Sequence, residues 1–293
     1  MSTIFATNPI KNILVGLDLS AIDNTLIKYT SFIAEKLQVE KVYFVHNIKR
    51  YEFSNLFSEA LDDINLDDVV GEELNDKIEE NFTSTIEWEV LISDDPYTES
   101  LFNYIVNKYA IQLTIVGNKN TANGSGVLSN KLLKLLKCHI LSVPKNTLIK
   151  LEKTWVGTDF SMASKKAFGV AEYIKSKQED TKVNAVYVYK IPLQFSHYLP
   201  TENMASTIKK HATEKGARFM RKLKLDQKYD LEIYRKQDIS ISQRLNQEGQ
   251  KENIDLLIVA DKGSNTFSSL LVGSVTEDLF NELLHFPLWV AKY

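Results

Sequence analysis

The stretch Asn12-Ile-Leu-Val-Gly-Leu-Asp18-Leu-Ser20 returns as Thr154-Trp-Val-Gly-Thr-Asp159-Phe-Ser161, 141 residues later. Each copy is a short apolar run without polar alternation that ends in Asp-x-Ser. Such runs suit parallel strands buried on both faces. Working outward, Lys41-Val-Tyr-Phe-Val-His46 recurs as Asn184-Ala-Val-Tyr-Val-Tyr189, and Leu113-Thr-Ile-Val-Gly117 as Leu256-Leu-Ile-Val-Ala260, both at an offset of 143. His139-Ile-Leu-Ser-Val143 recurs as Pro287-Leu-Trp-Val-Ala291 at an offset of 148. Four ordered runs at nearly constant spacing mark an internal repeat. Between them lie helical stretches such as Asn24 to Leu37, where Leu26, Ile27, Phe32, Ile33 and Leu37 form one apolar stripe, and Ala163 to Lys175. Each half therefore reads strand, helix, strand, long polar helix, strand, helix, strand, helix, strand. That alternation predicts two tandem doubly wound α/β domains, each a mostly parallel five-stranded sheet flanked by helices. The boundary falls near Pro144-Lys-Asn-Thr147, giving domains 1–146 and 147–293.

Length and composition agree. At ~100–200 residues per domain, 293 residues suit two domains. A formal net charge of -3 gives no whole-chain positive field for non-specific nucleic-acid binding. One cysteine, Cys138, excludes an internal disulfide framework and a Cys-based zinc cluster. No apolar run approaches the ~18–20 residues that span a bilayer. The opening MSTIFATNPIKN lacks the basic-then-apolar layout of a secretion signal, so a cytoplasmic protein is expected.

In open α/β sheets, ligands sit beyond the carboxyl ends of the strands, near the switch in strand order. Asp18 and Asp159 fall there. The most informative stretch is Ala260-Asp-Lys-Gly263-Ser-Asn-Thr-Phe-Ser-Ser-Leu-Leu-Val-Gly273-Ser274-Val275-Thr276-Glu277. It leaves a buried strand, makes a small-residue loop and re-enters a helix at Ser274. Loop N–H groups and a helix N-terminus make an anion site. Gly263 and Gly273 let backbone approach a phosphate, and the hydroxyls of Ser274 and Thr276 add donors. A capping box between Ser274 and Glu277 accounts for those two residues without any ligand.

The loop resembles that of the universal stress protein family, which carries G-x2-G-x9-G-S/T between its fourth strand and last helix. Gly263, nine intervening residues and Gly273-Ser274 match it. The Asp-x-Ser strand ends, and final strands such as Phe286-Pro-Leu-Trp-Val290 and Cys138-His-Ile-Leu-Ser-Val143, match as well. The resemblance covers essentially the whole chain as two copies. It implies a site for ATP or another adenine nucleotide, with or without Mg, mainly in the second domain. Carried over by position, Asp159 approaches the nucleoside and the backbone near Val188 meets the base. The stretch formed by Ala260, Lys262, Gly263, Gly273, Ser274, Val275 and Thr276 holds the phosphates. One departure is Ala260, which stands where the first motif glycine would be. The first half departs further: Asn120 replaces the second glycine, Gly126-Val127 loses the hydroxyl, and only five residues separate Asn120 from Gly126. Its site reads as degenerate.

Charge divides the halves. Residues 61–80 hold nine acids and one base, whereas their repeat mates near 205–224 hold seven Lys or Arg and one Glu. These are either two solvated helix faces or surfaces that attract across a domain or subunit contact. The five histidines (46, 139, 197, 211 and 285) show no metal-binding spacing. There is no G-x-S-x-G elbow and no G-x4-G-K-S/T loop. Cys138, Trp88, Trp155, Trp289, Tyr187 and Tyr189 read as core or sheet residues.

The leading expectation is a stress-response nucleotide-binding protein working as a ligand-linked switch. Its rival is a protein-interaction scaffold that binds no nucleotide. A slow ATPase using Asp159 and Lys262, or a related nucleotide hydrolase, is the minor third reading. Partners are a small-molecule nucleotide and an unknown protein, not nucleic acid or membrane. Family domains pair through their last strands, so strands 139–143 and 287–291 are expected to pair within the chain, with a further homodimer open.

Overall fold

The computed structural model describes residues 9–49, 65–118, 127–191, 201–262 and 272–292. The chain divides into two compact units, Asn8–Ile149 and Lys150–Tyr293.

In the first unit the order is β1 (Asn12–Gly16), α1 (Asp23–Leu37), β2 (Lys41–Asn47), α2 (Leu66–Asn81), β3 (Glu87–Ser93), α3 (Thr98–Lys108), β4 (Leu113–Asn118), α4 (Val127–Leu135) and β5 (His139–Pro144). The second unit repeats it as β6 (Lys153–Gly157), α5 (Lys165–Lys177), β7 (Lys182–Tyr189), α6 (Thr201–Lys222), β8 (Asp230–Arg235), α7 (Ile241–Lys251), β9 (Leu256–Ala260), α8 (Ser274–Asn281) and β10 (Leu288–Ala291). These elements follow the alternation read from the sequence.

Strands run β3-β2-β1-β4-β5 in the first unit and β8-β7-β6-β9-β10 in the second. All pairings within each unit are parallel. The first strand of each unit is thus central, and the chain reverses direction across the sheet after the third. Right-handed crossovers then put the first two helices on one face and the last two on the other. The packing of α1 on α2, α3 on α4 and α7 on α8 fits that arrangement.

Central strands are apolar throughout because both faces are covered. Ile13, Leu14 and Val15 of β1, and Trp155 and Val156 of β6, are fully buried, as are Trp289 and Val290 of β10. Cys138 is buried with its Sγ 3.1 Å from Thr114 Oγ1. The apolar stripe of α1 differs in one place. Leu26, Ile27, Ile33 and Leu37 are buried, but Phe32 is half-exposed and Tyr29 takes the interior place. The Lys36 ammonium lies over the Phe32 ring, which suits an amphipathic border position. Among the described residues no helix is long and apolar enough to cross a membrane.

Candidate functional site

The switch in strand order of the second unit lies between β6 and β9. At their carboxyl ends, with the end of β7, is a cavity of about 400 Å3. Of the nine residues nominated from sequence, Asp159, Val188, Ala260, Lys262, Gly273, Ser274, Val275 and Thr276 line it. Gly263 lies outside the described residues. So do Asn120 and Gly126 of the first-half loop.

The floor is built by the turn after β6. Asp159 Oδ1 accepts the Ser161 N–H at 3.0 Å, and the residue between them, Phe160, has φ 59°. The first unit makes the same turn: Asp18 Oδ1 accepts the Ser20 N–H at 3.3 Å around Leu19, φ 61°. Asp-x-Ser therefore has a local task, in which the carboxylate closes a turn that holds a bulky residue in the left-handed region. Thr158 and Ser164, which the sequence reading missed, stiffen this floor. The Ser164 hydroxyl donates to the Ser161 carbonyl at 2.8 Å, so its 2.9 Å contact with Thr158 Oγ1 takes the Thr158 proton. Thr158 Oγ1 in turn accepts the Phe160 N–H at 3.0 Å.

The opposite rim is the junction of β9 with α8. The Asp261 N–H donates to the Ala291 carbonyl at 2.9 Å, and the Asp261 carbonyl accepts the Gly273 N–H at 2.8 Å. The Asp261 carboxylate accepts the Lys166 ammonium at 3.0 Å, and that ammonium also donates to the Lys292 carbonyl at 3.0 Å. Asp261 thus pins together the end of β9, the end of β10 and the start of α8.

Two details correct the sequence reading. Gly273, not Ser274, is the N-cap of α8, with φ -67° and ψ 139°, and no side chain caps the helix. Ser274 is already helical, so the expected capping box with Glu277 does not form; the Glu277 N–H instead reaches the Gly273 carbonyl at 2.9 Å. The Thr276 hydroxyl, expected as a ligand donor, is buried and donates to the Ala260 carbonyl at 2.8 Å. It is a strut between strand and helix. What remains at the rim is the backbone: a helix leaves the N–H groups of Ser274, Val275 and Thr276 without intrahelical acceptors, at its positive end.

The walls add apolar surface and charge. Ile241 and Leu245, one turn apart on α7, line the cavity with Val186, Tyr187 and Val259. Ser240 caps α7 in a reciprocal box with Gln243, a Ser-x-x-Gln signal legible in the sequence but not used. Burial, and then the nearby Asp159 charge, push the Tyr187 phenol above its ordinary pKa, so it stays neutral and able to donate. Its ring lies 4.4 Å, centroid to centroid, from Phe160. Lys190 and Lys262 bring two ammonium groups. Among the described residues no group of three His, Cys, Asp or Glu side chains could hold a metal ion.

The first unit differs at the corresponding place. A Cβ built on Gly16, at the end of β1, would stand 2.7 Å from the Phe102 ring, and one on Gly117 would stand 2.9 Å from Ile22 Cδ1. Phe102 is the repeat mate of Leu245, so an aromatic ring presses on β1 where the second unit has an aliphatic wall.

Residues 151–292 match the model of the universal stress protein family. No curated protein matches the chain's sequence. Among solved structures, a universal stress protein from Archaeoglobus fulgidus DSM 4304 is similar over 96% of this chain and 98% of its own, at 16% identity and a TM-score of 0.62. A functionally unknown protein from Pseudomonas aeruginosa PAO1 is similar over 96% of this chain and 92% of its own, at 13% identity and a TM-score of 0.62. Both likenesses are of fold and run through both units. The chain therefore carries a universal stress protein family domain over residues 151–292, preceded by a unit of the same topology.

Proposed function

We propose that the second unit binds an adenine nucleotide, ATP or a close relative, and that binding acts as a switch in a stress response. The observation that carries this reading is the convergence of eight sequence-nominated residues on one cavity at the strand-order switch. The phosphates meet the N–H groups of Ser274, Val275 and Thr276 and the ammonium of Lys262. Gly273, having no side chain, leaves that approach clear. The nucleoside lies beside Asp159, and the base lies along the Val188 backbone against Ile241 and Leu245. Any Mg would enter with the phosphates, and Asp159 is the carboxylate among the lining residues. Occupancy changes the surface that the junction of β9 with α8 offers to a protein partner.

Mass spectrometry of small molecules released from gently purified protein, followed by calorimetry with ATP, ADP and AMP, tests this. One nucleotide per chain is expected. No released nucleotide and no heat at millimolar ligand would overturn the reading. A nucleotide-free scaffold would then be the better account. Ala260 favours it, because a methyl narrows the approach at the first motif position and its carbonyl is taken by Thr276.

A further inference from the structure

The two helices that follow the second strand of each unit, α2 and α6, occupy equivalent places and carry opposite charge. Over Leu66–Asn81, α2 has seven acids and one lysine, a net charge of -6. Over Thr201–Lys222, α6 has six Lys or Arg and two Glu, a net charge of +4 with His neutral. Neither set is spent on its own helix's packing. Leu74 and Ile78 are the buried apolar face of α2, and Glu72, Asp76 and Glu79, all exposed, stand on the opposite side by helical spacing. On α6, Ala212, Phe219 and Met220 are buried, while Lys210, Arg218 and Arg221 are exposed and point the other way. At 1.5 Å per residue, α2 is about 24 Å long and α6 about 33 Å, so one can lie along the other over four turns.

We infer that the acidic face of α2 on one molecule docks on the basic face of α6 on a second copy of the same chain. Complementary charge on two surfaces of one sequence favours a second copy over an unrelated partner, since every molecule presents both halves of the match. The contact is heterologous: a patch meets a different patch, so successive copies add head to tail and close into a ring only if the rotation permits. Exposed charges are screened beyond a Debye length of ~30 Å at 0.01 M salt and ~3 Å at 1 M, so association is strongest at low ionic strength. This inference does not depend on nucleotide binding.

Sedimentation velocity of the full chain, nuclease-treated, tests it at 20 mM and 500 mM NaCl over a hundredfold range of protein concentration. At low salt the mean mass is expected to rise with concentration, and at high salt to return to that of the smallest species. Two triple variants complete the test, Lys210→Glu/Arg218→Glu/Arg221→Glu and Glu72→Lys/Asp76→Lys/Glu79→Lys. Each alone is expected to lose the low-salt association, and an equimolar mixture is expected to regain it as a mixed complex, which misfolded variants would not do. The inference is overturned by a mass independent of concentration at low salt. It is equally overturned by association that survives either reversal, by association that vanishes on nuclease treatment, or by a mixture that stays apart.

Discussion

The Lys166 ammonium sits 3.0 Å from Asp261 Oδ1, an ion pair in which the carboxylate is mostly buried and the lysine partly so. The same ammonium holds the Lys292 carbonyl, while the Asp261 backbone bonds to both Ala291 and Gly273. One pair therefore holds together the ends of β9 and β10 and the start of α8.

Lys166→Met keeps much of the aliphatic stem and removes both charge-assisted bonds. A loss of about 2 kcal/mol in folding stability is expected, read as a lower urea midpoint with an unchanged slope. If the nucleotide reading holds, affinity falls as well, because the start of α8 is no longer fixed. A variant as stable as the parent would show that the pair contributes nothing measurable.

Gly273→Val separates ligand binding from folding. Gly273 has φ -67° and ψ 139°, a region that Val adopts readily, so stability should change by less than ~1 kcal/mol. On the nucleotide reading, its branched side chain stands where phosphate would approach, and calorimetric binding is expected to disappear. Gly126→Val, outside the described residues, should leave binding as it was. Equal loss from both changes would contradict the asymmetry between the units.

Asp23 gives the first unit a pH signature. It is fully buried, and burial first, then the neighbouring Asp18 charge, raises its pKa to about 6, against a smaller opposing pull from Lys77 and from the Asp18 N–H. A carboxyl with a folded-state pKa above its unfolded value binds its proton more tightly when folded. Stability therefore falls as pH rises from about 4 to about 6 and stays lower beyond. Asp23→Asn should abolish that slope, of order 3 kcal/mol across the window, in chemical denaturation followed from pH 3.5 to 7.5. An identical slope in parent and variant would assign the titration to another group.

Gly16 and Phe102 form a steric pair. Gly16→Ala places a methyl 2.7 Å from the ring, and overpacking of this kind costs about 1–3 kcal/mol. Adding Phe102→Leu, the residue type that lines the second cavity, should recover part of the loss. A double-mutant cycle with no coupling would mean that the ring moves aside freely.

The buried strands were legible in the sequence because both-face burial leaves a composition that cannot be mistaken for a surface: Ile13 to Val15 and Leu256 to Val259 admit no polar alternation. The cavity lining was legible where the family resemblance carries a position over to this chain, as for Asp159, Val188 and Lys262. It was not legible where the deciding event is a hydrogen bond. Ser274 and Glu277 have the spacing of a capping box, but the helix begins one residue earlier than that box requires, since Gly273 supplies the cap and Asp261 takes its N–H. Thr276 looks like any exposed hydroxyl until the Ala260 carbonyl is seen above it. Ile241 and Leu245 were missed because an apolar pair on an amphipathic helix carries no mark of the cavity it faces. The closeness of Phe102 to Gly16 was missed because a ring packed against a strand-end glycine and any other core ring have the same chemistry.

The central place of β6 has a consequence for assembly. As the chain leaves the ribosome, β6, β7 and β8 are complete and can pair before β9 exists, and β9 must then add to the still-open side of β6. The cavity straddles that seam, with Asp159 and Val188 on the early side and Ala260 and Gly273 on the late one. A half-made unit cannot present it. Any molecule that settles there holds the late strands to the early ones, and so recognises the finished unit rather than its parts.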